Sequence, residues 1–385
     1  MRAVYMDNAS TSIPKAPGVG KAMADYLEQG GYTVGRGGYA GAYDVAGTVL
    51  DTRERLCALL GAPAPRNIIF TAGATASLNQ LLKGLLRPGD QVLTSPMEHN
   101  AVLRPLRQLE AEGVVVEHLP CDSDGILDLS AAQSLITSQI RAVILTHASN
   151  LTGGLMPVAQ VGALCRAKGV FFLVDAAQTA GVHPIDMAAM GIDGLALPGH
   201  KGLLGPQGIG VLALTAPLAK ALSPLIAGGT GSTSDSLDMP PFLPDRFEAG
   251  TLNLPGIFGL NAALRYHEAE GPALREQEAR LTRHLLFRLL EFEGSLRLLG
   301  PQDPFLPRAG VVSVDFVGRD NGEISFLLDQ EYGIATRCGL HCAPVAHKTV
   351  GSFPQGAVRF SVSPFSTFED IDYVQDAVYK LLSRG

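Results

Sequence analysis

Short β-branched or aromatic runs alternate with helix-like segments through the first half of this chain. The runs are Ile68–Phe70, Gln91–Thr94, Val114–Val116, Ala142–Thr146, Val170–Val174 and Ile209–Leu214. Between them lie helical patterns at Ala76–Leu86, Leu103–Glu112 and Val158–Lys168. Continuous apolar runs of this length, spaced by helices, predict a mostly parallel sheet covered on both faces. The texture changes after about residue 255. Two helical patterns, Gly256–Glu270 and Pro272–Glu293, lead into strand-like Gly310–Phe316, Gly333–Thr336 and Ala357–Ser361, with a closing helix over Phe368–Leu382. The reading is an α/β chain with an N-terminal arm (1–15), a large domain (16–255) and a smaller C-terminal α+β domain (256–385). The Pro/Gly-rich stretch from Gly228 to Pro244 is expected as a loop or arm before that boundary.

Composition narrows the function classes. The 385 residues carry 30 Lys and Arg against 37 Asp and Glu, a formal charge of −7, spread without blocks, so neither nucleic acid nor an anionic membrane face is invited. The most apolar region, 195–228, is cut by Pro198, Lys201, Pro206, Pro217, Lys220 and Pro224, so no bilayer span is expected. The N-terminus meets a carboxylate at Asp7 before any apolar stretch of signal-peptide length. Five cysteines, an odd and sparse number, fit reduced thiols. A cytoplasmic location is the expectation.

Residues just beyond the expected strands are polar or Gly-rich. Ile68–Phe70 runs into Thr-Ala-Gly-Ala-Thr (71–75), Val92–Thr94 into Met-Glu-His-Asn (97–100), and Val143–Thr146 into His-Ala-Ser-Asn (147–150). Phe171–Val174 ends in Asp175, with Gln178 beyond, and Leu195–Leu197 leads to Pro-Gly-His-Lys (198–201). Ligands bind outside the carboxyl ends of strands in open parallel sheets, so these five tips are expected to share one crevice.

Each tip has a functional and a structural reading. The 71–75 loop, with Ala74 and Thr75 entering a helix, offers backbone N–H groups to an anion, or is an ordinary N-cap. Asp175 ends an apolar strand, so its carboxylate needs a cationic or hydrogen-bonding partner. The pyridinium nitrogen of pyridoxal phosphate is one such partner, and the following turn is another. Lys201, wedged among glycines and apolar residues, suits a desolvated amine that forms a Schiff base, where a stem with its head in water is awkward. Loop, carboxylate and amine match the phosphate, ring nitrogen and aldehyde carbon of one cofactor. His99 is either a ring over that cofactor and a proton shuttle, or structural. Arg337-Cys-Gly-Leu-His-Cys-Ala-Pro (337–344) concentrates two thiols, a guanidinium and an imidazole, and cations near a thiol raise its thiolate fraction. Its Cys-x3-Cys spacing, without a second pair, argues against structural zinc, so no metal is expected. Arg359, alternating with apolar neighbours, wants a carboxylate, from a substrate or from a structural Asp or Glu. Cys338, four residues before Cys342, reads as a small packing residue or as a thiol that relays sulfur or forms a reversible disulfide, the former preferred.

With those residues assembled, the chain resembles the class V aminotransferase-like, fold-type I pyridoxal-phosphate enzymes, and within them the cysteine desulfurase and selenocysteine lyase group. The resemblance runs from Tyr-Met-Asp-Asn-Ala-Ser-Thr (5–11) through Val-Asp-Ala-Ala-Gln (174–178), Gly-His-Lys-Gly-Leu-Leu-Gly-Pro (199–206) and Arg-Phe-Glu-Ala-Gly-Thr (246–251) to Arg-Cys-Gly-Leu-His-Cys. The last is similar to a Suf-type-like branch with a short cysteine loop, tied to iron–sulfur assembly. The resemblance implies that Lys201 carries the cofactor, Asp175 meets its ring nitrogen, Gln178 its phenolic oxygen, and His99 its ring face. It places Thr75, Ala74, His200 and, across a homodimer interface, Thr251 at the phosphate. Asn150, Arg337 and Arg359 are implied for the substrate, and Cys342 as the sulfur-accepting nucleophile that becomes a persulfide. The implied substrate is L-cysteine or L-selenocysteine, with a sulfur-acceptor protein as partner. Other pyridoxal-phosphate lyase or aminotransferase chemistry, and a non-catalytic sulfur-carrier scaffold, are the alternatives. Pro198 and Ala74 replace hydroxyl residues of relatives, and Leu340 replaces a His.

Overall fold

A computed structural model describes residues 2–35 and 37–384. The chain begins with β1 (Val4–Tyr5), α1 (Val19–Glu28) and α2 (Ala40–Leu60). It then alternates: β2 (Ile68–Thr71), α3 (Ala74–Leu85), β3 (Gln91–Thr94), α4 (Asn100–Ala111), β4 (Val115–His118), α5 (Leu129–Leu135), β5 (Ile140–Thr146), α6 (Val158–Lys168), β6 (Phe171–Asp175), β7 (Gly194–Pro198), β8 (Gly210–Leu214) and α7 (Ala216–Ala221). These strands form one seven-stranded sheet in the order β2-β8-β7-β6-β5-β3-β4. β8 alone runs antiparallel to its two neighbours, and the other pairings are parallel. The central strands β5 to β8 are buried along nearly their whole length, as a sheet sandwiched between helices requires. One core lies between this sheet and helices α2 and α6, and another on the face covered by α3 and α4.

Helix α8 (Leu254–Leu290) follows, then β9 (Leu296–Leu299), β10 (Val311–Phe316), α9 (Asn321–Tyr332), β11 (Ile334–Ala335), β12 (Arg337–Gly339), α10 (Pro344–Thr349), β13 (Ala357–Ser361) and α11 (Phe368–Leu382). The order β12-β13-β10-β9 makes a second, four-stranded antiparallel sheet with its own core against α8, α9 and α11. The N-terminal strand β1 pairs in parallel with β11, so the first residues belong structurally with the last third of the chain. Residues 228–244 contain no helix or strand, in line with the loop expected there.

Two expectations need correction. The helical patterns expected on either side of Pro272 are one continuous helix, α8. Proline removes an N–H and crowds the carbonyl four residues back. Here Pro272 and Glu268 are both exposed, so water can take the orphaned carbonyl and the helix need not end. Cys338, expected as a packing residue, is exposed on β12. Among the described residues no helix is long and apolar enough to cross a membrane.

Candidate active site

The registers align the carboxyl ends of the parallel strands on one edge of the large sheet. Thr71 and Pro198 both sit opposite Gly210, Asp175 opposite Ala196, and Thr146 opposite Asp175. All five expected tips line a single cavity of about 540 Å³, within the usual range for small-ligand sites. Its walls include Gly73, Ala74 and Thr75 from the first tip, His99 from the second, and Asn150 from the third. Asp175 with Gln178, and His200 with Lys201, complete it.

The first wall is a helix N-terminus. No side chain caps α3, and the cap position is Gly73. Strand β8 passes so close that a Cβ on Gly210 would stand 2.4 Å from the Gly73 Cα, so this approach needs glycine at 210, while the positive φ of 152° favours glycine at 73. Opposite lies Asp175, 3% exposed, whose Oδ1 accepts from the Ala177 amide at 2.9 Å. Burial pushes its carboxyl above the usual range, while the Lys201 charge pulls the other way. Burial brings the Lys201 amine down to about 8. A buried carboxyl and a softened amine now face one cavity.

His99 is the N-cap of α4, its Nδ1 accepting from the Ala101 amide at 2.9 Å. That bond assigns the proton to Nε2. Desolvation and the cations Lys201 and Arg359 hold the ring near pKa 4, so it is neutral. The neighbouring Glu98 is completely buried: Oε1 accepts from the Ser95 hydroxyl at 2.7 Å and the Thr146 amide at 2.8 Å, tying the second tip to the third. Sequence reasoning gave Glu98 no role. His200 bonds Thr11 through Nδ1 at 3.1 Å, and Gln178 donates to the Ala9 carbonyl at 3.2 Å.

The cysteine loop arrives from the small sheet. The Cys342 carbonyl accepts from the Asn100 amide at 2.7 Å, and the His341 carbonyl accepts from the Asn150 side chain at 2.8 Å. Both donors stand at tips of the large sheet, so the loop is docked on the cavity rim with the Cys342 residue exposed. Arg359 on β13 is 2% exposed and donates to the Asn150 carbonyl at 3.0 Å, the Asp7 carboxylate at 2.9 Å and the Ser10 hydroxyl at 2.8 Å. Among the described residues its Nε has no hydrogen-bond partner. Of the two readings of this guanidinium, the structural carboxylate is present in the chain, as Asp7. Arg337, facing Arg359 across β12 and β13, donates to Ser10 at 2.7 Å. Thr251 is exposed and does not line the cavity. Its segment is anchored by Glu248, which pairs with Arg53 at 2.6 Å and accepts from the Phe70 amide. Among the described residues no group of three or more His, Cys, Asp or Glu gathers as a metal site.

The aminotransferase class-V family model matches residues 4–374. A probable cysteine desulfurase of Methanothermobacter thermautotrophicus is 31% identical over 99% of this chain and 95% of that protein. Cysteine desulfurase CsdA of Escherichia coli is 33% identical over 98% of this chain and 94% of its own length. Among solved structures, apo cysteine desulfurase from Thermococcus onnurineus superposes with a TM-score of 0.92 at 31% identity, covering 99% of this chain and 95% of that one. Family model, relatives and superposed fold extend over nearly the whole chain, which belongs to the aminotransferase class-V family.

Proposed function

We infer that this protein is a pyridoxal-phosphate-dependent cysteine desulfurase, converting L-cysteine to L-alanine and passing the sulfur to its own Cys342. The observation that carries the reading is the docking of the Cys342 loop on the rim of the cavity that holds Asp175 and Lys201.

The cavity fits the cofactor on its own chemistry. An uncapped helix N-terminus at Ala74 and Thr75 suits a phosphate dianion. The buried Asp175 carboxyl, raised by burial and bonded to the Ala177 amide, suits a protonated ring nitrogen. The amine of Lys201 suits an aldehyde carbon. Gln178 would meet the ring oxygen, His99 the ring face, and His200 the phosphate. Thr251 of a second copy would complete the phosphate site, which makes the working unit a homodimer. When bound, the cofactor supplies an electron sink for the carbanion at the substrate Cα.

The chain's own residues do the rest. Arg359, with Arg337 and Asn150, would orient the substrate carboxylate. Lys201, its amine free while substrate is bound, would take the proton from Cα and return it once the Cβ–S bond has broken, a task for which an amine softened to about 8 is matched near neutral pH. Neutral His99 holds its Nε2 proton toward the cavity. The Cys342 thiolate attacks the substrate sulfur: an S–S bond forms as the Cβ–S bond breaks, the electron pair stays with carbon, and Cβ takes a proton to leave alanine. This needs the thiolate within about 3–3.5 Å of the substrate sulfur. The persulfide then waits for an acceptor protein, and iron–sulfur assembly in the cytoplasm is the setting this reading favours. The two sheets with separate cores support a division into a large cofactor domain and a small domain carrying the cysteine loop.

The test is a substrate panel of L-cysteine, L-selenocysteine and L-alanine, scored for alanine, selenide, sulfide and pyruvate. Alanine from L-cysteine that depends on Cys342 supports the reading. Selenide release without reaction of L-cysteine transfers it to a selenocysteine lyase. Pyruvate from either L-cysteine or L-alanine points to elimination or transamination instead.

A further inference from the structure

The Cys342 loop holds an unlikely backbone. His341 and Cys342 have φ of 50° and 56°, and the Ala343 amide closes the turn on the Leu340 carbonyl at 2.8 Å. Two consecutive left-handed residues are the mark of the mirror-image turns, which favour Asn-Gly. His-Cys is costly there, and such a conformation persists only when its surroundings over-determine it. Asn100 and Asn150 pin the two carbonyls of the turn. What pins its side chains is a buried chain of hydrogen bonds.

His341 Nε2 lies 3.2 Å from the Arg337 carbonyl, which can only accept, so Nε2 carries the proton. Its Nδ1 is then an acceptor, 3.3 Å from His347 Nε2, which must donate. His347 Nδ1 in turn accepts from the Ser352 hydroxyl at 2.7 Å. The two imidazoles are stacked, 5.5 Å between centroids at 14°, and buried at 5% and 0% exposure. One carbonyl thus dictates both tautomers. Helix α10 brings His347 under the turn, and the Ser352 and Phe353 amides fold back onto the His347 carbonyl at 2.8 and 3.2 Å.

We propose that His347 is a positioning residue for sulfur transfer: through His341, and with its own Nδ1 held by the Ser352 hydroxyl, it locks the left-handed turn that presents the Cys342 thiol to the cavity. The proposal rests on Cys342 being the sulfur acceptor. Arg359 and Arg337 face His341 from β13 and β12; burial with those cations holds His341 down to about 3 against the opposing pull of the Arg337 carbonyl, and burial alone holds His347 to about 4. The lock therefore stays closed throughout the physiological range.

The test compares holoenzyme with His347→Phe, which keeps a ring of similar size and removes both hydrogen bonds, and with His347→Gln, whose amide can still donate to His341. Two readouts are taken: steady-state alanine formation from L-cysteine, and amide hydrogen exchange of peptides covering 337–343. The expected result for His347→Phe is a kcat lower by about tenfold to a hundredfold, KM within about twofold, and faster exchange in that segment; His347→Gln recovers most of both. Ser352→Ala, a loss of one hydroxyl, moves both readouts the same way by a smaller factor and serves if the Phe variant does not fold. Unchanged exchange and kcat in His347→Phe, or a Gln variant no better than Phe, would overturn the proposal. If the wild type makes no alanine, the exchange readout still decides whether the lock exists, separately from the desulfurase reading.

Discussion

Under the proposed function, Lys201 is the residue on which cofactor loading turns. Only the neutral amine attacks an aldehyde, and burial brings Lys201 from 10.5 to about 8. Uptake of pyridoxal phosphate by the cofactor-free chain should therefore accelerate about tenfold per pH unit below 8 and level off above it. Borohydride trapping followed by peptide mapping measures this at Lys201 itself; a rate still climbing at pH 10 would speak against a softened amine. Cys342→Ala should abolish the persulfide while leaving cofactor loading intact, read from the absorbance of the bound cofactor; alanine output equal to wild type would remove Cys342 as acceptor. Asp175 and Lys201 were legible because each interrupts an apolar context at a strand end. The Asp7 partner of Arg359 was not: 352 residues separate them, and no local pattern encodes a contact that the pairing of β1 with β11 and the bridge of Asp7 to Ser361 on β13 bring about. Glu98 stood in a quoted motif, but its bond to the Thr146 amide depends on β3 and β5 lying side by side.

At the scale of elements, the fully buried strands were the most readable part of the chain, since near-continuous apolar runs leave few alternatives. Harder were α1 and α2, which the reading did not assign, and β9, a four-residue strand just after a glycine. Helix α2 opens Ala-Gly-Ala-Tyr and carries a second glycine at Gly47, a poor local signal that packing against α8 overrides. The close approach of β8 to the start of α3 gives a sharp element-level prediction. Gly210→Ala places a methyl group against the Gly73 backbone, and neither backbone can yield without moving the helix N-terminus. We expect a stability loss of about 1–3 kcal/mol in chemical denaturation, together with a Kd for pyridoxal phosphate raised about tenfold or more. Unaltered cofactor affinity would detach the α3 N-terminus from phosphate binding.

Across the whole molecule, buried titratable groups set how stability follows pH. His99, His147, His200 and His347 are held down to about 4, and His341 to about 3, from 6.5, by burial. The unfolded chain binds their protons first, so this stability is complete above 6.5 and is lost as pH falls toward 4. Glu98 and Glu278 run the other way, raised by burial from 4.5 to about 8. Their contribution is complete below 4.5 and fades as pH rises toward 8. Five groups outweigh these two on the acid side, and between 6.5 and 8 it is carboxyls raised by burial, with Asp175 and Glu248 shifted in the same direction, that set the slope. The Tm of the cofactor-free chain should peak near pH 6.5 and decline on both sides. Glu98→Gln, which keeps an oxygen for Ser95 and Thr146, should flatten the decline toward pH 8 in a thermal melt series. A Tm rising steadily from 6.5 to 8 would show that these carboxyls are ionised in the fold.

The central claim joins two parts of the chain that sequence holds far apart: a cofactor amine at the edge of the large sheet and a thiol carried to it by the small one. Incubation of the cofactor-loaded protein with L-cysteine, followed by intact-mass measurement and peptide mapping without reductant, tests that union directly. The account predicts one added sulfur atom on Cys342, reversed by a thiol reductant and absent when cofactor is omitted. Alanine formed in stoichiometric amount while Cys342 stays unmodified, or sulfur found on another cysteine, would contradict it.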